Sequence, residues 1–202
     1  MKPTNKTPNR RKKILFLGYG REQTILVDAL EKNNCLVDHT SEKVTPVEGY
    51  DFIVSFGYRY ILNQSVIAQF NCPIFNLHIS YLPFNRGAHP NFWSFFDNTP
   101  AGVTIHLIDD GVDTGPIVAQ KYVKFKLEDD TFTKTYNALI EEIEDLFLEH
   151  LPSFLSNKWT AKEQKGPGTH HRAQDLPSNF SGWNSNIQRE ISRLNTEGLK
   201  YE

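Results

Sequence analysis

Short runs of apolar residues recur along the first 78 residues, and they constrain the fold more than any other feature. The first run, residues 14–17, is Ile-Leu-Phe-Leu, and it ends at Gly18. A run that is apolar at every position is typical of a parallel strand covered on both faces. Residues 22–33 instead repeat their apolar side chains at helical spacing. This alternation predicts an α/β fold of Rossmann-like type, an open and mostly parallel twisted sheet with strands at residues 14–17, 36–39, 52–56 and 73–78.

The rest of the sequence predicts a hairpin and a long helix. Residues 102–108 and 117–125 alternate apolar and polar side chains around an Asp- and Gly-rich turn, which is the pattern of a long antiparallel hairpin. Residues 133–159 carry one apolar helical face, with Pro152 as a kink or an end. A short closing helix is expected at residues 187–194. These patterns divide the chain into a disordered basic leader, one domain, and an extension of loop plus short helix, at residues 1–13, 14–160 and 161–202.

The distribution of charge argues against a nucleic-acid partner. Of 22 basic and 24 acidic side chains, residues 1–13 hold six basic and no acidic ones, which leaves residues 14–202 with a net charge of −8. The leader could be an arm that binds phosphates, or it could be only a solvated, proline-containing segment. The acidic body favours the second interpretation because it would repel a nucleic acid.

The amino-acid composition indicates the cellular compartment of the protein. The chain is 39% apolar and 23% charged, and no apolar run approaches the roughly 20 residues that a membrane span needs. Its two cysteines, Cys35 and Cys72, are too few for a disulfide framework or a four-cysteine zinc site. They fit a reducing compartment. We expect a cytoplasmic protein with no membrane attachment and no bound metal.

Polar residues that could take part in catalysis lie at the end of the fourth predicted strand. Asn76 and His78 are two residues apart, so both project from one side of the strand, at the carboxyl end where open α/β sheets bind ligands. The hairpin could return Asp113 to the same edge. An amide and a protonated imidazole can stabilise an oxyanion, and a carboxylate can hold the imidazole or a proton-relaying water. By spacing alone, this Asn-x-His is also compatible with a strand end whose polar groups face solvent.

Four motifs in order carry a family resemblance. They are Asn76-Leu77-His78, Tyr81-Leu82-Pro83, the alternating strand from Gly102 to His106, and Asp113-Thr114-Gly115. With the sequence GYRYIL at residues 57–62, they resemble the folate-dependent formyltransferases, over about residues 13–160. That family transfers a formyl group from N10-formyltetrahydrofolate to an amine. The resemblance therefore implies its Rossmann-like fold and a formyltransferase catalytic domain at residues 14–160.

The resemblance also implies roles for individual residues. Asn76, His78 and Asp113 correspond to the catalytic residues, with the first two binding the oxyanion and Asp113 keeping His78 protonated or steering the proton relay. The acceptor amine attacks the formyl carbon directly, without a formyl-enzyme. The pterin is expected to lie against the main chain of residues 60–62 and of the turn at residues 109–113. The expected folate contacts are Tyr60, Ile61, Leu62, Asp109 and Gly111. His106 is either a supporting residue of this site or a packed histidine.

The acceptor is indicated by the loop after Asn-x-His. Its sequence, SYLPFNRGAHPNFWSF, is most similar to the sugar N-formyltransferases, which act on nucleotide-linked amino sugars for surface polysaccharides. Glu22, in the turn after the first strand, disfavours the phosphate site that a glycinamide ribonucleotide enzyme needs. Expected acceptor contacts are Asn85, Arg86, His89, Trp93, His170 and Arg172, although the aromatic residues could be helix packing and the tail histidines a surface loop.

Two rivals to this function stay open. One is glycinamide ribonucleotide formylation, and the other is a catalytically idle module that binds folate or a sugar nucleotide. An unpaired polar cluster disfavours the idle module, because a binding protein gains nothing from it. The partners that we expect are two small molecules, a sugar nucleotide and a folate. The hairpin and the aromatic-rich tail could also form a homodimer.

Overall fold

The computed structural model describes residues 10–126 and 130–198, and within them a mixed six-stranded sheet forms the centre. Its strand order is β2-β1-β3-β4-β6-β7, in which β1 to β4 are parallel and β6 and β7 are antiparallel additions. The predicted fold is therefore confirmed. The strands are β1 Lys13–Gly18, β2 Leu36–Thr40, β3 Phe52–Phe56, β4 Ile74–His78, β5 Arg86–Gly87, β6 Gly102–Leu107, β7 Ile117–Tyr122 and β8 His170–His171.

Helices cover both faces of this sheet. The α1 helix (Leu26–Lys32) and the α4 helix (Phe132–Leu155) pack on one face, against side chains such as Phe16 and Phe75. The opposite face buries Leu15 and Ile53 beneath Leu62 and the short α2 helix (Gln64–Ile67). Because both faces are covered, the central strands β1 and β3 are apolar at most positions, as the sequence pattern indicated.

A third apolar cluster joins the C-terminal extension to the domain. It combines the α3 helix (Pro90–Phe96), the start of α4 and the α5 helix (Ile187–Gly198). Phe92 and Phe132 are fully buried in it, and Ile187 closes it from the extension. The segment before α5 pairs as β8 with β5, in parallel. The extension, expected to be mostly loop, is thus packed on the rest of the chain.

The ends of two helices differ from the sequence expectation. Helix α1 begins at Leu26 rather than residue 22, because Gly20 accepts turn hydrogen bonds from the amides of Gln23 and Thr24. Helix α4 continues through Pro152 and ends at Leu155, short of residue 159. Proline removes only one amide donor, so a helix packed along its length tolerates it near its end.

The predicted leader is only partly described. Residues 1–9 lie outside the described part of the chain, but the carboxylate of Asp51 forms ion pairs with Arg10 and Lys12 at 2.8 and 3.0 Å. Lys13 is already the first residue of β1. The leader boundary at residue 13 was therefore wrong, because Asp51 fixes these basic residues to the sheet. Within residues 10–126 and 130–198, no helix has the length and apolarity to cross a membrane.

Candidate active site

The expected polar residues converge at the carboxyl end of β4. Asn76 and His78 lie on β4, and β6 returns antiparallel beside it so that His106 is the register partner of Asn76. The turn after β6 then carries Asp113 back to the same edge. His78 and His106 are almost completely buried, and their rings meet edge to face with centroids 6.3 Å apart. An amide, two imidazoles and a carboxylate thus form one cluster.

Asp113 is the centre of this cluster. Its Oδ1 accepts a hydrogen bond from Asn76 Nδ2 at 3.2 Å, and its Oδ2 accepts one from the main-chain amide of Gly87 at 2.8 Å. The same carboxylate lies 3.7 Å from His78 Nδ1 and 3.4 Å from His106 Nε2. Burial by itself would raise the pKa of Asp113, but the two histidines and the Gly87 amide outweigh burial and hold this pKa well below its usual range. The carboxyl group is therefore ionised at neutral pH.

Carbonyl partners determine which ring nitrogens carry protons. His78 Nε2 lies 3.1 Å from the main-chain oxygen of Asn85, and a carbonyl only accepts, so Nε2 is the donor. The other nitrogen of His78, Nδ1, faces Asp113. His106 Nδ1 donates to the carbonyl of Leu107 at 2.8 Å. Asn76 Nδ2 lies 3.1 Å from His106 Nε2, which fixes the orientation of that amide.

The two-residue strand β5 supplies the amide that binds Asp113. Gly87 has a φ of +86°, and a Cβ atom at this position would lie 2.3 Å from the carbonyl oxygen of His171 on β8. Only glycine fits here, because the backbone is left-handed and the neighbouring strand leaves no room. The contact between β5 and β8 therefore aims the Gly87 amide at the carboxylate.

The residues expected around the pterin differ in exposure. Ile61 is 80% exposed and Tyr60 is 41% exposed, whereas the Leu62 side chain is buried in the core. The main chain of residues 60–62 forms no hydrogen bond within the described part of the chain, so its donors and acceptors are free for a ligand. In the second segment, Asp109 accepts from the Gly111 amide and the Thr114 hydroxyl, which shapes the turn.

Two of the expected acceptor contacts are buried instead. Asn85 is 0% exposed, and its amide group bonds to Thr99 and Thr169 at 2.8 and 3.0 Å. The Trp93 ring is buried against His171, with centroids 3.9 Å apart and planes 6° from parallel. Their burial argues against the two side chains as acceptor contacts, because both are packed within the protein.

The other expected acceptor residues remain accessible. His170 and Arg172 are exposed, and Arg86 is partly buried, with its guanidinium bonded to Gln164. The His89 ring packs 5.3 Å from Trp183, and burial lowers the pKa of His89. Arg86 and His170 lie on β5 and β8, and His89 and Arg172 follow these two strands closely in the chain.

Comparison with known proteins shows the family of the chain. The formyl transferase family model matches residues 12–151. The chain belongs to the formyl transferase family. Over 130 residues it is 33% identical to dTDP-4-amino-4,6-dideoxyglucose formyltransferase of Mycobacterium bovis. The aligned region covers 64% of this chain and 54% of that protein. It is also 31% identical over 145 residues to methionyl-tRNA formyltransferase of Thermodesulfovibrio yellowstonii, covering 71% of this chain and 46% of the relative. The chain thus spans about half the length of these curated relatives.

One solved structure is matched by this chain over nearly all of its own length. It is the formyltransferase PseJ from Anoxybacillus kamchatkensis, in complex with UDP-4,6-dideoxy-4-formamido-L-AltNAc and tetrahydrofolate. The match has a TM-score of 0.82 and 40% sequence identity, and it covers 90% of this chain and 98% of that one.

Sequence reasoning missed several residues around this polar cluster. The Gly87 amide and the side chains of Gln164 and Thr169 contact the cluster or the loop beside it, and none carries a local signal. His106, left open between support and packing, contacts both Asn76 and Asp113. The alternation of the hairpin strand could have indicated that His106 faces the same side as Asn76 once β6 was known to pair with β4.

Proposed function

We propose that this protein transfers a formyl group from N10-formyltetrahydrofolate to the amine of a nucleotide-linked amino sugar. The observation that carries the proposal is the cluster of Asn76, His78 and Asp113 at the carboxyl end of β4, in which Asp113 accepts from Asn76 and lies beside His78. The similarity to PseJ, whose structure contains a UDP-linked 4-formamido sugar and tetrahydrofolate, supports the choice of both substrates. A UDP-linked 4-amino-4,6-dideoxy sugar is therefore the first acceptor to test.

In this proposal, Asn76, His78 and Asp113 are catalytic residues with separate tasks. The Asn76 amide and the His78 imidazole donate to the formyl oxygen as negative charge develops on it. To do so, one N–H of Asn76 leaves His106 or Asp113, and the Nε2–H of His78 leaves the Asn85 carbonyl, when the formyl donor binds. Asp113 faces Nδ1 of His78 at 3.7 Å, where it stabilises positive charge on the imidazole and accepts the proton that the amine releases, directly or through water. No nucleophilic side chain of the enzyme is needed, because the acceptor amine attacks the formyl carbon itself. The bond between that carbon and N10 then breaks, and N10 takes up the proton released by the amine, so that tetrahydrofolate is the leaving group.

The free main chain of residues 60–62 is proposed as the folate site. These peptide donors and acceptors have no partner among residues 10–126 and 130–198, and they match the ring nitrogens and carbonyl of a pterin, which need both. The turn that carries Asp109 and Gly111 follows β6 at the same edge of the sheet, and we propose that it closes the other side of the pterin.

The acceptor is proposed to lie along β5 and β8. Arg86 and His170 are register partners on these strands, and Arg172 is exposed two residues further on. A diphosphate is anionic and is bound by cations, and Arg86 and Arg172 supply them in a protein whose body is acidic. Arg172→Ala should weaken binding of the UDP-amino sugar by about 1–3 kcal/mol, the usual value of a charge-assisted hydrogen bond, without changing folate binding. Isothermal titration calorimetry measures both, and Arg189→Ala on the exposed side of α5 is the matched control.

An acceptor screen tests the function itself. Purified protein is incubated with N10-formyltetrahydrofolate and one amine at a time, and mass spectrometry detects the 28 Da that a formyl group adds on replacing a hydrogen. The panel contains UDP- and dTDP-linked amino sugars and glycinamide ribonucleotide, and His78→Ala is the inactive control. Formylation of glycinamide ribonucleotide alone would contradict the sugar assignment. Binding of folate with no formylation of any amine would favour an idle binding module.

Three finer properties are part of the proposal. Cys35 and Cys72 are free thiols, which suits the cytoplasm, and the formylated sugar would serve surface polysaccharide synthesis. We also propose a homodimer through the hairpin, where Tyr122 is half exposed, and light scattering of the purified protein measures its mass in solution. The division at residue 160 stays a prediction, tested by whether a chain shortened to residues 1–160 still folds.

A further inference from the structure

We propose that Gln164 is a positioning residue that locks the Asp113 turn to the Arg86 loop. The inference rests on the proposed function for its catalytic consequence, and it concerns a residue of the C-terminal extension beyond the part matched by the family model. The observation that carries it is that the Gln164 side chain lies between the main-chain carbonyl of Asp113 and the guanidinium of Arg86.

Gln164 forms four hydrogen bonds with its two amide atoms. Its Nε2 donates to the main-chain carbonyls of Asp113 and Gly115, at 2.8 and 2.9 Å. Its Oε1 accepts from Nε and Nη2 of Arg86, at 3.1 and 2.6 Å. Both ends of the side chain are therefore fully used, and each end reaches a different element of the site.

Only glutamine satisfies both partners at this position. A guanidinium can only donate and a carbonyl can only accept, so the orientation of the Gln164 amide is fixed by its neighbours. Glutamate would place a carboxylate oxygen against the two carbonyls, and lysine would place a charge against Arg86. Asparagine is one methylene shorter and would not span the same gap.

The turn that Gln164 holds needs external support. Asp113 has a φ of +52°, a left-handed conformation that side-chain-bearing residues rarely adopt. Such a conformation persists only where surrounding contacts determine it. The bond from Gln164 to the Asp113 carbonyl is one such contact, and it sets the direction in which the carboxylate leaves the backbone toward His78. Gln164 thus acts on the reaction through Asp113, without contacting the substrates itself.

The contact between Gln164 and Arg86 links this positioning to the acceptor. The side of Arg86 that faces Gln164 cannot also face a diphosphate, so Gln164 decides which N–H groups of Arg86 remain available. Gln164→Glu keeps an oxygen for Arg86 and removes only the donors to the turn. Gln164→Met removes all four bonds at nearly constant volume. The two variants therefore separate the two ends of the side chain.

Hydrogen–deuterium exchange tests the lock without any assay of activity. In Gln164→Glu and Gln164→Met, peptides spanning residues 107–117 should exchange at least about tenfold faster than in the wild type, because the turn loses a fixing contact. Peptides from β1 and β3 should be unchanged, which also shows that each variant is folded. Gln188→Glu, an exposed glutamine on α5, is the control for added charge and should change neither region. Unchanged exchange in both Gln164 variants would overturn the proposal.

Kinetics tests whether the lock acts through Asp113. We expect kcat to fall about 10- to 100-fold in Gln164→Glu, with KM for folate and for the acceptor within about twofold, since a misplaced catalytic group costs this much. Gln164→Met should lower kcat similarly and also raise KM for the acceptor. In an Asp113→Asn background, either change should cost less than about twofold more, because the two residues act as one unit.

The outcomes separate this inference from the proposed function. A normal kcat in both variants, or an equal loss with and without Asp113→Asn, would refute the positioning role even in an active enzyme. If the wild-type protein formylated no amine, the proposed function would fail, whereas the exchange experiment would still decide whether Gln164 holds the turn.

Discussion

Replacing Asp113 with Asn changes the cluster at one atom and tests the proposed chemistry directly. The carboxylate accepts from Gly87 and Asn76 and lies 3.7 and 3.4 Å from the two imidazoles. An amide of the same shape turns one of these acceptors into a donor that faces another donor, and it removes the charge that stabilises positive charge on His78. The loss of a proton-transfer group costs about 10²- to 10⁴-fold in kcat, or roughly 3–5 kcal/mol.

Single-turnover kinetics measures this loss without interference from product release. Asp113→Asn is mixed with bound N10-formyltetrahydrofolate and excess UDP-amino sugar, and formylated product is followed by mass. His78→Ala should be similarly slow, and the double variant should be little slower than either single one, because both residues serve one step. Folate affinity by calorimetry is the control and should be unchanged. Near-normal turnover of Asp113→Asn would refute the proton-relay assignment.

The depressed pKa of Asp113 predicts how stability depends on pH. A carboxyl whose pKa is lower in the folded than in the unfolded state stabilises the fold fully above its unfolded pKa, about 4, and loses this contribution as pH falls toward the folded pKa. Asp113→Asn lacks the contribution. The difference in free energy of unfolding between wild type and variant should be constant from about pH 5 upward and shrink below about pH 4. A difference that grew on acidification would show that the carboxyl is not held ionised.

Three further changes test the folate site, β5 and the core. Ile61→Pro removes a backbone donor and should weaken folate binding at least about tenfold, whereas Tyr60→Ala should change it little; equal effects in calorimetry would assign the binding to side chains. Gly87→Ala should lower kcat and Tm together, because its Cβ would lie 2.3 Å from the His171 carbonyl oxygen; unchanged values would refute the close contact. Glu144→Ala removes the acceptor of two bonds at the start of α1 and should cost about 1–3 kcal/mol in chemical denaturation while kcat stays normal.

The sequence was sufficient for the elements whose signal is local. The run at β1 is buried at nearly every position, as its composition indicated, because a strand covered on both faces must be apolar throughout. The apolar face of α4 follows the helical period for the same reason. The alternation of Asn76 and His78 placed both on one side of β4, and the family resemblance then gave them a role.

Only the tertiary structure decided what surrounds those residues. Gln164 bonds to a carbonyl 51 positions earlier, Thr169 bonds to Asn85 across 84 positions, and Glu144 accepts from the Thr24 hydroxyl across 120 positions. The same long-range packing buries Asn85 and Trp93, which the sequence offered as ligand contacts. Periodicity and composition record whether a residue is buried and in which element, but not which distant surface covers it. Hydrogen-bond partners at this site come from the meeting of surfaces far apart in the chain, and so they appear only in the folded protein.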